Sequence, residues 1–547
     1  MSKFSEKCRE LLLSNGSNVY RLSQSASLER TSLQRMITGK RLPNQEFVLN
    51  FCHALRIPLS EEKELMELYK MESMGESAYK NQKAILNLFR QLADLEKTDL
   101  QPSCCITEQS NLLLLSNISS QSYNTELLLQ FVLKNAFHTG GKSPVYTNLP
   151  GTCNLLSHYL HLLAPQYSDK IILKQLIHFH ISDSSTFENL ETLNQILPLY
   201  FSGKIDYEPY YYYSTLTNSE QSNLLFPYYI ISADHVLQLS GDLKKGVLHS
   251  DPAIVQHYTS EFLDKLSQAT LLVRHTDSLK EVNDLYTSSL NILQVDEMYS
   301  LGGLYQMELV SQEDYSSLTK QYAADYMELF DNYTHFADML NQSHQHIFAP
   351  LNSIRNFCNT GNVPGALSIL FPSFDSEMRV NGLKNLCNTL SAKDISFLTD
   401  NFIFPDSVVL ELYDHHLLHI IHVGKDGRLS FIAIHENSIC EAFKSFFLSL
   451  PGSEYDYGKE KQKSFLQESI CGIEALSRNH PDTPPRPTHY HITSNRKRID
   501  SFFKLTKNAV RFYNLPNDIF YFYLFLNNRS SHFGGFFPLI FVGTGSY

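Results

Sequence analysis

Asn18-Val19-Tyr20-Arg21-Leu22-Ser23-Gln24, then Ser25-Ala26-Ser27, then Glu29-Arg30-Thr31-Ser32-Leu33-Gln34-Arg35-Met36-Ile37 and Gly39-Lys40-Arg41-Leu42-Pro43, is the stretch that decides how this chain reads. The first run has the apolar spacing of a helix, and a small-residue break follows it. The second predicts a short helix starting near Glu29, closed by the glycine and proline, with Asn44 opening a further helix. Two short helices joined by a tight turn, the second polar and basic on one face, form a helix-turn-helix arrangement. A helix of that width fits the major groove of DNA, where Arg and Gln side chains pair with base edges.

Over residues 5–60 the chain resembles the lambda-repressor-like (Cro/XRE) helix-turn-helix family. Leu22, Leu28, Leu33 and Met36 stand at its core positions, Gly39-Lys40-Arg41-x-Pro43 follows, and Phe47, Val48, Ala54 and Leu55 continue into the next helix. Two positions depart from the pattern. Val19 stands where the family usually has a Gln that touches phosphate and base, and Glu29 stands where it has a Ser or Thr cap. The resemblance implies binding to double-stranded DNA. Arg30, Thr31, Gln34 and Arg35, on the outward face of the second helix, are the candidates for base edges. Asn18, Lys40 and Arg41 are the candidates for phosphates, which set register and not sequence. So small a domain binds weakly alone, and a homodimer on half-sites about 34 Å apart is expected.

Charge supports that placement. Residues 1–56 hold nine Lys/Arg against four Glu, a balance of +5, which leaves −17 for the remainder of a chain whose total is −12. A basic head on an acidic body suits a protein whose head meets nucleic acid while its body stays off it. At 547 residues the chain is too long for one ordinary domain, and 43% hydrophobic with 19% charged residues is a globular composition. Met1–Arg9 is polar and charged, so no signal peptide is read there, and cytoplasm is the expected compartment. Apolar runs near 520–526 and 533–542 are too short to span a membrane. Nine scattered cysteines without a CxxC pair argue against a disulfide framework or a zinc site.

The expected fold class is multidomain: an all-α helix-turn-helix domain over 1–60, then a helical extension over 61–100 opened by a Ser60 cap, then a large α/β (α+β) region. Within that region, 101–272 alternates helices with short β-like runs, including the tyrosine-rich strand 207–213, and reads as an α/β sensor-like domain. Residues 273–400 read as mostly helical. Residues 401–547 read as α+β, with strands at 407–413, 416–423 and 429–435 around a Lys425-Asp426-Gly427 turn, and helices at 439–450 and 499–512.

A second, weaker resemblance lies in the α/β part. Pro227-x-Tyr229, Asp234 and Gly241 occupy the spacing of the His-x-Lys, Asp and Gly motif of the phospholipase D superfamily, with a following helix at Phe262. Proline and tyrosine, however, replace the imidazole that attacks phosphorus and the cation that holds the phosphate, so the resemblance implies a body without that chemistry. Residues 406–450, with Phe443 and Phe446, read as a divergent second copy. Gly140-Gly141-Lys142-Ser143 lacks the glycine of a phosphate loop, because Ala136 stands there, and reads as a surface turn. The histidines at 415, 416, 419 and 422, and the alternating pairs at 178/180 and 489/491, read as half-buried strand residues; no metal and no cofactor are expected.

The sequence therefore reads as a DNA-binding transcriptional regulator whose acidic body senses a small-molecule or peptide effector or pairs two chains, not as an enzyme and not as a membrane protein. The alternatives are a DNA-targeted phosphodiesterase or nuclease, and an interaction scaffold whose head binds a protein.

Overall fold

Side-chain caps set the amino-terminal helices. α1 (Lys3–Ser14) opens where Ser2 accepts a hydrogen bond from the Ser5 amide, and α2 (Val19–Ser25) opens where Asn18 does the same for Arg21. α3 (Arg30–Ile37) has no side-chain cap, whereas α4 (Gln45–Leu55) is capped by Asn44. The computed structural model describes residues 2–97 except 27, 125–138, 143–167, 170–180, 186–200, 205–214, 225–276, 281, 284, 295–310 except 304, 343–365, 373–423 except 391, and 429–479. The expected helix at 499–512 and the turns at 139–142 and 425–427 lie outside the described residues.

The head has its own core. Phe4, Cys8, Leu11, Leu22, Leu28, Leu33, Met36, Val48, Phe51 and Leu55 are buried together, and α5 (Leu59–Met74) closes the group with Leu65. Tyr69 of α5 packs edge-on against Phe4 and donates its hydroxyl to the Pro43 carbonyl, 3.0 Å. Burial pushes the Cys52 thiol up to about 12, so it behaves as a small apolar filler. Two corrections follow. The head extends past residue 60 to the end of α5, and that helix opens at Pro58, with Ser60 already inside its first turn and no side-chain cap.

One residue, Gly75, separates α5 from α6 (Glu76–Lys97). Its φ of 90° and ψ of 146° lie where only glycine rests comfortably. The extension expected over 61–100 thus divides: α5 belongs to the head, while α6 sinks Ile85, Leu88, Phe89 and Leu92 into the body.

The body contains two seven-stranded mixed sheets. In the first, β1 (Val145–Thr147), β2 (Ile171–His180) and β3 (Ile205–Ser214) are parallel, linked by α8 (Asn154–Leu163) and α9 (Thr186–Tyr200), with α7 (Thr125–His138) preceding them. A meander of β4 (Tyr228–Ile231), β5 (Val236–Leu239) and β6 (Gly246–His249) adds antiparallel to β1, and α10 (Pro252–Leu266) follows. Then β7 (Thr270–Leu271) pairs antiparallel with β3.

The second sheet repeats this plan. β9 (Glu297–Leu301), β10 (His344–Pro350) and β11 (Asp394–Leu398) are parallel. Between them run α11 (Gln306–Leu309), α12 (Leu351–Thr360) and α13 (Ser376–Thr389). The meander β12 (Val408–Tyr413), β13 (Leu417–Val423), β14 (Leu429–Ile434) adds antiparallel to β9, and α14 (Asn437–Ser449) follows. Asp456, after α14, bridges antiparallel to Leu398 of β11, in the place that β7 holds on β3. β8 (Val273–Thr276) leaves β7 after one residue and pairs with β14, carrying the chain from one sheet edge to the other. α15 (Lys459–Asn479) covers the second sheet.

Residues 273–400, expected to be mostly helical, therefore carry β8, β9, β10 and β11, and the boundary expected at 400 falls inside one sheet. β9, β10 and β11 are short, polar at their starts and buried beyond them under helices, so no sustained polar-apolar alternation marks them as one-sided strands. The core between the sheets gathers α6, α7, α8, α9 and α14. The outer face of the second sheet is covered by α11, α12, α13 and α15, and that of the first by α10.

The histidine-rich run divides too. His415 and His416 stand in the turn before β13, whereas His419 is 1% exposed between the rings of Tyr413 (4.9 Å) and Phe431 (4.7 Å). Burial, helped by nearby His435, holds the His419 imidazole down at about 3. The unfolded chain takes up this proton below about 6.5 while the folded one does not, so the contribution is intact above that pH and is lost as pH falls. By pH 4.5 the loss is expected to be about 2–3 kcal/mol. Urea melts at pH 7.5 and 4.5 check this: His419→Asn should flatten the pH dependence relative to wild type, and equal slopes would contradict it.

Candidate nucleic-acid interface

α3 presents two distinct sides. Leu33, Met36 and Ile37 are buried in the head core, while Arg30, Thr31, Gln34 and Arg35 are exposed. At about 100° per residue these four and Thr38 form one outward stripe. Glu29, at the cap position, accepts from Ser32 Oγ at 2.7 Å and caps no amide with its side chain. The helix ends in a Schellman turn. Gly39, at φ 70°, donates its amide to the Met36 carbonyl, and Lys40 donates to that of Arg35. This left-handed glycine turns the chain so that Lys40 and Arg41 follow the helix end, both exposed.

α2 supplies a neighbour that the sequence reading passed over. Tyr20 is 53% exposed, and the Arg30 guanidinium lies 5.5 Å from its ring centroid. Gln24 Nε2 donates to the Tyr20 hydroxyl at 2.9 Å. Tyr20, Arg21 and Gln24 are exposed at helical spacing opposite buried Leu22; that spacing was the available signal. Asn18 is exposed, but its side-chain oxygen is engaged in capping α2, which leaves its amide nitrogen for a phosphate. Among the described residues, Arg21, Arg30, Arg35, Lys40 and Arg41 form no ion pair. Lys7, by contrast, holds Glu64 at 3.0 Å, and Lys70 holds Glu454 of the body at 2.7 Å. Exposed cations without carboxylate partners are available to an external polyanion.

The second group of sequence candidates sits on the first meander. Asn148 clamps its start: its Nδ2 donates to the Pro227 carbonyl (2.9 Å), and its Oδ1 accepts from the Tyr229 amide (2.7 Å). Tyr229 is buried beside Tyr258 and Phe262 of α10, and burial pushes its phenol up to about 12. Asp234 lies in the turn between β4 and β5. When the two meanders are aligned on their turns, Glu411 of β12 takes the place of Tyr229. Tyr229 faces the cluster under α10; Glu411 shares the face of Val409 and Tyr413, under the helices on the far side of the second sheet. The two equivalent positions therefore sit on opposite outer faces of the body and do not converge on one site.

No protein-family model matches the chain, and no curated protein does. Among solved structures, a phosphatidylserine synthase from Haemophilus influenzae Rd KW20 is similar over 67% of this chain and 98% of that one, at 9% identity and a TM-score of 0.21. So loose a superposition carries no argument about fold or activity.

Among the described residues, no helix is long and apolar enough to cross a membrane. One group among the described residues has ligand atoms close enough to share a cation: His344 and His346 of β10 with Asp394 of β11. None of the histidines weighed in the sequence belongs to it.

Proposed function

We propose that this chain is a sequence-specific regulator that binds duplex DNA through α3, carried on a body that performs no phosphodiester chemistry. The observation that carries this reading is the solvent-facing stripe Arg30, Thr31, Gln34 and Arg35 on a helix whose other side is anchored in a separate core. Arg and Gln on such a stripe can reach base edges, and Lys40 and Arg41 at its end can reach the flanking phosphates. We read the body as a duplicated, phospholipase D-like pair of halves, supported by the repeated strand plan and the spacing of Pro227, Tyr229, Asp234 and Gly241. Proline and a buried tyrosine cannot serve as nucleophile and phosphate anchor, which speaks against a nuclease. The body's role in this reading is to pair two heads and set their spacing in response to an effector.

Lys40 tests the phosphate assignment. Lys40→Ala should weaken binding to unrelated duplexes alike and lower the salt dependence by about one unit of log affinity against log salt. Anisotropy titrations over a salt series on several sequences measure both. Losses that differ between sequences, or an unchanged slope, would contradict the assignment.

A further inference from the structure

The parallel strands of the second sheet start side by side, β9 at Glu297, β10 at His344 and β11 at Asp394. Register then does what sequence distance hides: it sets His344 beside Glu297 and His346 beside Asp394. His344 and His346, two apart on a strand, project from the same face. Their rings meet edge to face at 4.5 Å, and His346 Nδ1 lies 3.0 Å from Asp394 Oδ2. One ligand atom from each of the three lies within 4.8 Å of the others. The His346 ring is also held from its flat side, stacked on Tyr299 at 4.7 Å, and Tyr299 stacks in turn on Phe447. Stacking fixes the plane of the ring, and the contact with Asp394 fixes the direction of its Nδ1.

We infer that His344, His346 and Asp394 bind one divalent transition-metal ion of zinc-like character. Two imidazoles and one carboxylate favour zinc and its neighbours over magnesium or calcium, which prefer all-oxygen sites. Three protein ligands leave a position for water or a fourth ligand, and the half-open setting, with His344 exposed, gives that position access to solvent. A His346–Asp394 ion pair alone would employ one imidazole and would give no reason for the second to converge. Two cations are close by. Lys459 Nζ lies 3.4 Å from Asp394 Oδ1, but its side chain is 79% exposed and can turn into solvent at little cost. Lys444 is engaged by Glu297 at 2.8 Å. The site belongs to the body and holds whether or not α3 binds DNA.

Titration of the full chain, stripped with chelator, with cobalt(II) followed by absorption and then displacement by zinc(II), tests this. The expected result is one equivalent with visible d–d bands. His344→Ala and Asp394→Asn should each weaken it at least about tenfold, the scale on which even outer-shell partners act. Because His344 is exposed, its loss should leave the fold intact, which far-ultraviolet circular dichroism checks. The variant His415→Ala/His416→Ala, at the adjacent turn, should bind as wild type does. Unchanged affinity in His344→Ala/His346→Ala would place the ion elsewhere among the 22 histidines and overturn the inference, as would no binding at all.

Discussion

Replacing Phe89 with alanine is expected to cost the body about 3–5 kcal/mol, the range for removing a fully buried aromatic ring. Phe89 is 0% exposed and stands at the centre of an aromatic group. Phe402, Phe404, Phe443 and Phe446 surround it at centroid distances of 5.9, 5.2, 6.5 and 5.7 Å, most of them edge to face. These rings come from α14 and from the loop before β12, so Phe89 is how the helix leaving the head is seated in the body. Truncation would leave a cavity that rings from several elements cannot jointly collapse. The head core shares no buried residue with this group. Chemical denaturation of the full chain should therefore show the body transition shifted and the head transition in place. A loss under about 1 kcal/mol, outside the range for a buried ring, or an equal shift of both transitions would contradict the seating of α6.

The double variant Arg30→Ala/Arg35→Ala should lose about 2–6 kcal/mol of affinity for the preferred duplex, on the scale of about 1–3 kcal/mol for each base-reading arginine. The two sit in one interface and can couple, so the sum sets the scale and not the exact value. Both side chains are exposed, and neither is ion-paired among the described residues, so thermal stability should be unchanged within about 0.5 kcal/mol. Arg30 also leaves Tyr20 without its cation partner, a minor term at an exposed site. Anisotropy on preferred and scrambled duplexes separates base reading from charge: the preferred sequence should lose more. Equal losses on both would reduce the two residues to phosphate contacts.

The head was legible because its signals are local. Asn18 and Asn44 cap the helices they precede, Gly39 supplies the left-handed turn, and Leu22, Leu33 and Met36 recur at helical spacing. Ser60 misled for an equally local reason. Pro58 fixes the backbone two residues earlier, and a hydroxyl already inside the first turn caps nothing. In the body, strands rich in tyrosine or with long apolar runs, such as β2, β3, β12 and β13, stood out. β9, β10 and β11 did not, because short strands buried on both faces cannot be told from helix segments by periodicity alone. The repeat of the two sheets was only hinted at by the 406–450 meander, since β9 to β11 lay in the part read as helical. The His344, His346 and Asp394 group was beyond reach: Asp394 lies 48 residues from His346 and meets it only through parallel register.

The central claim is that the outward side of α3 reads base pairs. Selection from a random-sequence duplex library by the full chain addresses it most directly. Wild type should enrich a motif, arranged as an inverted pair if two heads bind together, and Arg30→Ala/Arg35→Ala should lose that motif. No enrichment by wild type, or the same motif recovered by the double variant, would contradict the claim.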